Sequence, residues 1–240
     1  MNILVTICAR GGSKGIPGKN IKLLNGKPLL FYTIKSAKQF QAALDDVNIV
    51  LSTDSEEIEG IANVYGIRGD YKRPASLGED SVSKIDVLKD VLIWSEKTTG
   101  FTYDYVLDLD VTSPLRNLND LISGLRRIES DKAAVNLFSV SPPRRNPYFN
   151  MVEKKKNGYY AQIVIPPKGI NTRQSAPIVY DLNASFYYYR REFFINNYKE
   201  AITDRSLIYE VPHICFDLDE PLDFEILSFL MTHNKLDFEL

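Results

Sequence analysis

Three observations predict an α/β fold with three layers built around a largely parallel, Rossmann-like sheet. Short apolar runs alternate with segments of helical periodicity, a glycine-rich segment follows the first apolar run, and the rhythm breaks once, between residues 141 and 183. The chain has 240 residues, 44% of them hydrophobic, and a chain of that size buries a full core without disulfides. We therefore expect one domain over residues 1–240 that carries a β-rich insertion at residues 141–183.

The alternation is regular up to residue 140. Apolar runs predict buried strands at residues 3–9, 47–51, 105–109 and 133–140. Helical periodicity predicts helices at residues 29–40, from Asp54 (a capping-box-like start) to just before Gly66, at 83–97 and at 117–129. Because strands and helices alternate, most strands should run parallel with helices on both faces of the sheet.

The insertion is recognised by its different pattern. It contains several prolines, a basic run at residues 154–156, and an Asn157-Gly158 pair between apolar segments. An Asn-Gly pair in that setting is a strong signal for a β-hairpin. After the insertion, the α/β rhythm returns with a predicted strand at 184–189, a helix at 192–201, a strand at 211–216 and a closing helix at 221–233.

Charge and cysteine content limit the partners and the compartment. The formal net charge is -2, from 29 basic and 31 acidic residues, which gives no general attraction to nucleic acid or to an anionic membrane. Cys8 and Cys215 lie in apolar runs and are expected to be buried thiols of a reduced, cytoplasmic protein. No apolar run approaches the roughly 20 residues of a transmembrane helix.

The segment from Arg10 to Asn20 directly follows the first predicted strand. It contains four glycines, three cations and one hydroxyl, namely Gly11, Gly12, Gly15, Gly18, Arg10, Lys14, Lys19 and Ser13. Glycines let backbone N–H groups approach a ligand closely, so this first loop predicts a cradle for a polyphosphate. The spacing fits neither a P-loop nor a dinucleotide fingerprint. The alternative is a flexible basic surface loop.

Two acidic pairs occur where strands are predicted to end, Asp108/Asp110 and Asp217/Asp219. Residues two apart on a strand point to one face, so each pair could present two carboxylates together. Paired carboxylates with substrate phosphates suit magnesium, whereas two histidines are too few for a histidine-based zinc site. The alternative is that one member of each pair caps the next helix. For Asp54 we favour such a capping role, and for Asp80 a loop role.

Further basic residues are not distinguished by composition. The other candidate site residues are Arg73, Arg116, Arg144, Arg145 and Arg173 with Gln174. The alternative interpretation is that they are ordinary solvated side chains, as most arginines are.

Five segments together resemble the acylneuraminate cytidylyltransferases (CMP-sialic acid synthetases). The first is Ala9 to Gly15 with Lys19 and Asn20. The others, in the same order, are Arg73-Pro74 with Leu77, Asp80 and Ser83; residues 109–116 (Leu-Asp-Val-Thr-Ser-Pro-Leu-Arg); Arg173-Gln174 with Tyr180 and residues 182–184; and residues 216–219.

The resemblance implies a nucleotidyltransferase fold of the GT-A-like type and a homodimer formed through the insertion. It also implies transfer of CMP from CTP to a nine-carbon 2-keto sugar acid, with Mg²⁺. The nucleotide would be held by Ala9, Arg10, Gly11, Gly12, Ser13, Lys14, Lys19, Asn20, Arg73 and Thr112. The sugar acid would be held by Asp110, Ser113, Arg173 and Gln174, the metal by Asp217 and Asp219, and the catalytic groups would be Arg10, Lys14, Asp217 and Asp219.

One departure from the family pattern bears on the acceptor. Asp110-Val111 replaces the Gln-Pro that is common in the neuraminate enzymes, which points to the branch that activates legionaminate-type sugars. Two alternatives stay open at this point. One is a 3-deoxy-manno-octulosonate cytidylyltransferase, and the other is a catalytically idle nucleotide-binding module.

Overall fold

The computed structural model of the chain describes residues 1–12, 16–79, 82–165 and 172–240. Its strands are β1 (Ile3–Cys8), β2 (Leu23–Leu24), β3 (Lys27–Pro28), β4 (Val47–Ser52), β5 (Tyr105–Asp110), β6 (Asn136–Ser141), β7 (Val152–Lys154), β8 (Tyr160–Gln162), β9 (Asp181–Arg190) and β10 (Ser206–Glu210). Its α-helices are α1 (Leu29–Ala43), α2 (Glu56–Val64), α3 (Lys84–Thr99), α4 (Leu118–Glu129), α5 (Arg191–Ile195) and α6 (Pro221–Thr232).

A six-stranded sheet in the order β10-β6-β9-β5-β1-β4 forms the middle layer. β1 pairs in parallel with β4 and β5, and β10 pairs in parallel with β6. β9 is antiparallel to both of its neighbours, β5 and β6. The sheet is therefore mostly parallel, with one reversed strand that joins its two parallel parts.

Side chains that alternate along the strands divide the core into two clusters. On β1, Ile3 and Val5 pack into one cluster, to which α1, α4 and α6 contribute, and Leu4 packs into the other, to which α3 and α5 contribute. Because successive side chains of a strand point to opposite faces, two clusters mean that the sheet is covered on both faces. This confirms the predicted three layers. No helix in the described part of the chain is long and apolar enough to cross a membrane.

Most predicted elements are present within a few residues of their expected bounds. β7 and β8 form an antiparallel pair around Asn157 and Gly158, as the Asn-Gly pair predicts. The strand predicted at residues 211–216 is wrong, because the last strand is β10 at Ser206–Glu210. Pro212 explains the difference, since a proline has no N–H to donate to a sheet.

Two helix predictions also need correction. The helix predicted at residues 192–201 is the short α5, which ends before Asn197, a residue in the left-handed conformation with φ 56°. Asp54 does not cap α2. The cap is Ser55, whose side chain accepts from the Ile58 N–H at 3.4 Å. Asp54 instead accepts a hydrogen bond from the Gly11 N–H.

Gly124 on α4 permits the close approach of that helix to β9. A Cβ atom at Gly124 would lie 2.9 Å from the ring of Phe186 and 3.2 Å from the ring of Tyr188, and both rings are fully buried. Interiors packed at this density accommodate an added methyl group only by shifting side chains or backbone.

We expect Gly124→Ala to lower the free energy of unfolding by about 1 kcal/mol, because overpacking costs about 1–3 kcal/mol and the gain in helix propensity recovers only about 1 kcal/mol. The matched control is Gly60→Ala on α2, where a Cβ would meet no atom within 4 Å. That control should raise stability by about 0.5–1 kcal/mol. Urea denaturation of both variants measures the difference, and equal effects would contradict this account of the α4–β9 contact.

Candidate active site

A cavity of about 520 Å³ opens where β1 and β5 end. Cys8 and Asp110, the last residues of those strands, line it, together with residues of the first loop and of the segments that precede and begin α3. Burial raises the pKa of the Cys8 thiol to about 12, so this thiol is not a nucleophile at neutral pH. Ligands of open α/β sheets bind at the carboxyl ends of the strands, and this cavity, which we call the nucleotide cavity, has that position.

The first loop is anchored through its backbone. The Gly11 N–H donates to Asp54 Oδ1 at 2.7 Å, and Asn20 Nδ2 donates to the Arg10 carbonyl at 2.9 Å. A Cβ at Gly11 would lie 3.1 Å from Cβ of Ser55, so the absence of a side chain permits this close approach. Asp54, predicted as a helix cap, thus fixes the loop instead.

The first loop meets the C-terminal acidic segment. Lys19 Nζ donates to the Leu218 carbonyl at 2.6 Å and lies 3.6 Å from Asp219 Oδ1. The Leu218 N–H in turn donates to the Thr112 carbonyl at 2.8 Å. Three segments that are distant in sequence therefore come together at one wall of the nucleotide cavity.

Asp219 lies between two cavities. It lines the nucleotide cavity and also a second cavity of about 460 Å³, which Asp217, Arg144 and Asp181 line as well. Asp219 does not cap α6. Glu220 is the N-cap, and the backbone N–H of Asp219 donates to the Asp223 carboxylate at 3.0 Å. The Asp219 carboxylate is 71% exposed and available to a ligand.

The charge of the Asp217/Asp219 pair is only partly balanced. Partial burial raises the pKa of Asp217, and the nearby carboxylates of Asp219 and Asp110 raise it further. Within the described ranges, no three His, Cys, Asp or Glu side chains form a group that could hold a metal. Magnesium needs only one or two carboxylates plus substrate phosphates, so the pair fits that ion.

The other acidic pair has an internal cation. Lys84 Nζ lies 2.7 Å from Asp108 Oδ2 and 2.8 Å from Asp110 Oδ2. Burial would raise the pKa of Asp110, but the Lys84 ammonium and hydrogen bonds from the Thr112 N–H and hydroxyl lower it to about 2. Burial would lower the pKa of Lys84, yet the two carboxylates hold it well above its usual value. The pair does point to one face, but a lysine bridges it.

Ser113 and Arg116, which belong to the same family-like segment, are buried. Ser113 is 0% exposed, its hydroxyl donates to the Asn183 carbonyl at 2.6 Å, and it lines neither cavity. Arg116 is 1% exposed, so its interpretation as a solvated side chain is wrong. Its guanidinium donates to the Ser113 and Asp110 carbonyls at 2.8 Å each. Ser113 and Arg116 therefore support the backbone next to the nucleotide cavity and do not contact the cavity itself.

The remaining predicted residues are distributed unevenly. Arg73 lines the nucleotide cavity, where its guanidinium donates to the Ser52 carbonyl at 2.7 Å, and Thr112 lines it as well.

Some of the other predicted residues do not line either cavity. Ala9 is fully buried and its N–H donates to the Ser52 carbonyl at 3.0 Å, while Gly12 is exposed. Gln174 is exposed and lines neither cavity. Arg173 begins a short 3-10 helix. Ser13, Lys14, Gly15 and Asp80 lie outside the described residues.

Lys84 is the site residue that sequence reasoning missed. It occupies the first position of α3, directly after the N-cap Ser83. A cation is disfavoured at a helix N-terminus, where the helix dipole is positive. A lysine at an unfavourable helix position, in a chain with acidic pairs at predicted strand ends, indicates that the lysine binds those carboxylates. That pattern could have identified Lys84 from the sequence.

Known proteins of similar sequence identify the family of this chain. The sequence profile of the cytidylyltransferase family matches residues 4–211. A Campylobacter coli protein named post-translational flagellin modification protein B is 39% identical over 235 residues, which cover 98% of this chain and 97% of that protein. The CMP-N,N'-diacetyllegionaminic acid synthase of Campylobacter jejuni is 38% identical over the same shares.

Among solved structures, a CMP:2-keto-3-deoxy-manno-octonic acid synthetase complexed with CTP superposes with a TM-score of 0.69 and covers 98% of this chain and 100% of its own. At 19% identity, that likeness shows the shared fold alone. The profile match and the two full-length relatives decide the family: the chain belongs to the cytidylyltransferases.

Proposed function

We propose that this cytidylyltransferase transfers CMP from CTP to the anomeric hydroxyl of a nine-carbon 2-keto sugar acid of the legionaminate or N-acylneuraminate type, releasing pyrophosphate. The C. jejuni relative bears the name of a CMP-N,N'-diacetyllegionaminic acid synthase. The sequence departure at Asp110, which replaces the glutamine common in neuraminate enzymes, favours the legionaminate type.

One observation carries the proposal: the contact of Lys19 with Leu218 and Asp219. It brings the cationic, glycine-rich first loop and the Asp217/Asp219 pair to one place, so a triphosphate in the nucleotide cavity would meet both. Transfer of a nucleotidyl group depends mainly on positioning and charge neutralisation, with little covalent work by the protein.

Each group then has a defined task. Arg10, Lys19 and Arg73 line the cavity and would bind the phosphates, and Lys14 of the same loop is expected to stabilise the leaving pyrophosphate. The oxygen of the acceptor hydroxyl would attack the α-phosphorus of CTP. The bond between the α-phosphorus and the oxygen that bridges it to the β-phosphorus would break, and pyrophosphate would leave. Arg173 and Gln174 stay assigned to the sugar acid as a prediction.

Asp217 and Asp219 would hold Mg²⁺. Partial burial and the neighbouring Asp219 carboxylate raise the pKa of Asp217, so the charge of the pair is only partly balanced by Lys19, and magnesium prefers such oxygen ligands. When bound, the ion supplies charge neutralisation for the phosphates and makes the acceptor hydroxyl more acidic. Because Asp219 borders both cavities, its carboxylate lies between the nucleotide and an acceptor in the second cavity.

We also propose a homodimer formed through the insertion, in the cytoplasm. The insertion exposes several large apolar side chains, among them Tyr159 at 76%, Tyr160 at 66%, Ile165 at 88% and Ile178 at 83%. Large apolar side chains exposed together on one surface are typical of an interaction site, and these residues belong to one segment of the chain. Cys8 and Cys215 are free thiols, which suits the reducing cytoplasm.

The activity is tested with purified protein, CTP and Mg²⁺ against a panel of keto sugar acids, with pyrophosphate release as the readout. We expect release with N,N'-diacetyllegionaminate, and less or none with N-acetylneuraminate. Release only with 3-deoxy-manno-octulosonate would replace the proposed acceptor. No release with any acid would favour the idle nucleotide-binding module.

Asp219→Asn should reduce turnover by about 100-fold or more at any Mg²⁺ concentration, because one ligand and one charge at the reacting phosphate are lost. The matched control is Glu225→Gln, an exposed residue of α6 that lines neither cavity and should keep normal activity. A Mg²⁺ titration of turnover compares the two variants with the native enzyme. An unchanged titration for Asp219→Asn would remove this residue from the metal site.

The double variant Ile165→Glu/Ile178→Glu should convert the dimer to a monomer of 27.3 kDa, because four-fifths or more of each side chain is exposed in the single chain and the new charges would be buried at the interface. Phe101→Glu, at a 56% exposed residue outside the insertion, is the control that should leave the dimer intact. Light scattering coupled to size-exclusion chromatography gives the masses. A native protein that is monomeric at micromolar concentration would refute the dimer.

A further inference from the structure

Acidic side chains nearly balance the basic ones at the nucleotide cavity, although the proposed ligand is an anion. Among the described residues, four basic and three acidic side chains line it. Asp108 lies directly behind the lining, with a carboxylate that is 1% exposed. A nucleoside triphosphate brings further negative charge to the same place.

Lys84 compensates the two carboxylates nearest the floor of the cavity. Its ammonium lies within 2.8 Å of both Asp108 and Asp110, and its side chain is 38% exposed toward the cavity that it lines. Thr6 and Thr112 bind the other oxygens of the two carboxylates, at 2.9 Å and 2.8 Å. The carboxylates therefore have fixed positions, and Lys84 is the cation within ion-pair distance of both.

The position of Lys84 in α3 also indicates a specific role. At the first residue of a helix a cation opposes the helix dipole, so local helix stability does not favour a lysine there. The contacts of its ammonium with Asp108 and Asp110, at 2.7 Å and 2.8 Å, oppose that cost.

We propose that Lys84 is a positioning residue for nucleotide binding, which neutralises Asp108 and Asp110 and thereby lets the cavity accept an anionic nucleoside triphosphate. The inference rests on the proposed function, since it takes CTP as the ligand. Lys84 acts through the two carboxylates. Without it, the charge of the described lining falls to three basic against three acidic side chains, with Asp108 unpaired behind them.

The test measures CTP binding to the full chain by titration calorimetry. Lys84→Met should weaken the affinity for CTP by about 30-fold or more, the scale seen when one partner of a buried charge pair is truncated. Lys84→Arg, which keeps the charge, should stay within a few-fold of the native protein. Lys89→Met is the matched control, because Lys89 lies on the same helix, is half-buried, lines no part of the nucleotide cavity and contacts Asn197 rather than a carboxylate.

The decisive variant is the double change Lys84→Met/Asp110→Asn. If Lys84 acts by neutralising charge, removing one of the carboxylates should recover at least five-fold of the lost affinity. If Lys84 only supports the packing of α3, the double variant should bind CTP no better than Lys84→Met, and the proposal is overturned. Thermal unfolding of each variant without ligand shows whether it folds, and should Lys84→Met not fold, comparison of the double variant with Lys84→Arg decides.

Failure of the proposed function gives a different pattern. If the native protein binds no CTP while its thermal unfolding is cooperative, both the function and this inference are refuted. If the native protein binds CTP and Lys84→Met binds it equally well, only the role of Lys84 is refuted.

Discussion

One buried guanidinium connects four segments of the chain beneath the nucleotide cavity. Arg116 donates to carbonyl oxygens of Asp110, Ser113 and Ser185 and to the hydroxyl of Thr33, which belong to the end of β5, the loop after it, β9 and α1. Burial lowers the pKa of Arg116 to about 10, because a charge is unfavourable away from water. Removing its acceptors would leave a buried charge with fewer partners, which is strongly destabilising. The position of these four segments beneath the nucleotide cavity therefore depends on this side chain.

The two Asp-Leu-Asp segments show how one sequence pattern acquires two different roles. Asp108 and Asp110 end a strand, where Lys84 reaches both carboxylates, so their charge is balanced within the protein. Asp217 and Asp219 follow an irregular segment after β10, and the pKa of Asp217 is raised. A carboxylate pair that already has a cation is suited to structure. A pair whose charge is only partly balanced, here by Lys19 at 3.6 Å from Asp219, is suited to binding a metal.

The three layers of the fold and the position of the first loop after β1 could be predicted from the sequence, because apolar periodicity and glycine spacing are local properties. It did not reveal that β9 runs antiparallel, because the direction of a strand depends on the connection before it, here the insertion. The partner of Asp54 was also missed. An aspartate before a helix has the same local pattern whether it caps that helix or accepts from a distant N–H, as it does from Gly11. Lys84 was missed for the same reason, since its partners lie on another element.

The reversed strand has a further consequence. Parallel strands deliver their last residues to one edge of the sheet, whereas a strand that runs backwards begins at that edge. Asp181, the first residue of β9, accordingly pairs with Ser141, the last residue of β6, and both line the second cavity. The segment between them therefore leaves and re-enters the sheet beside the second cavity. A partner bound to that segment would contact the chain next to the residues that line this cavity.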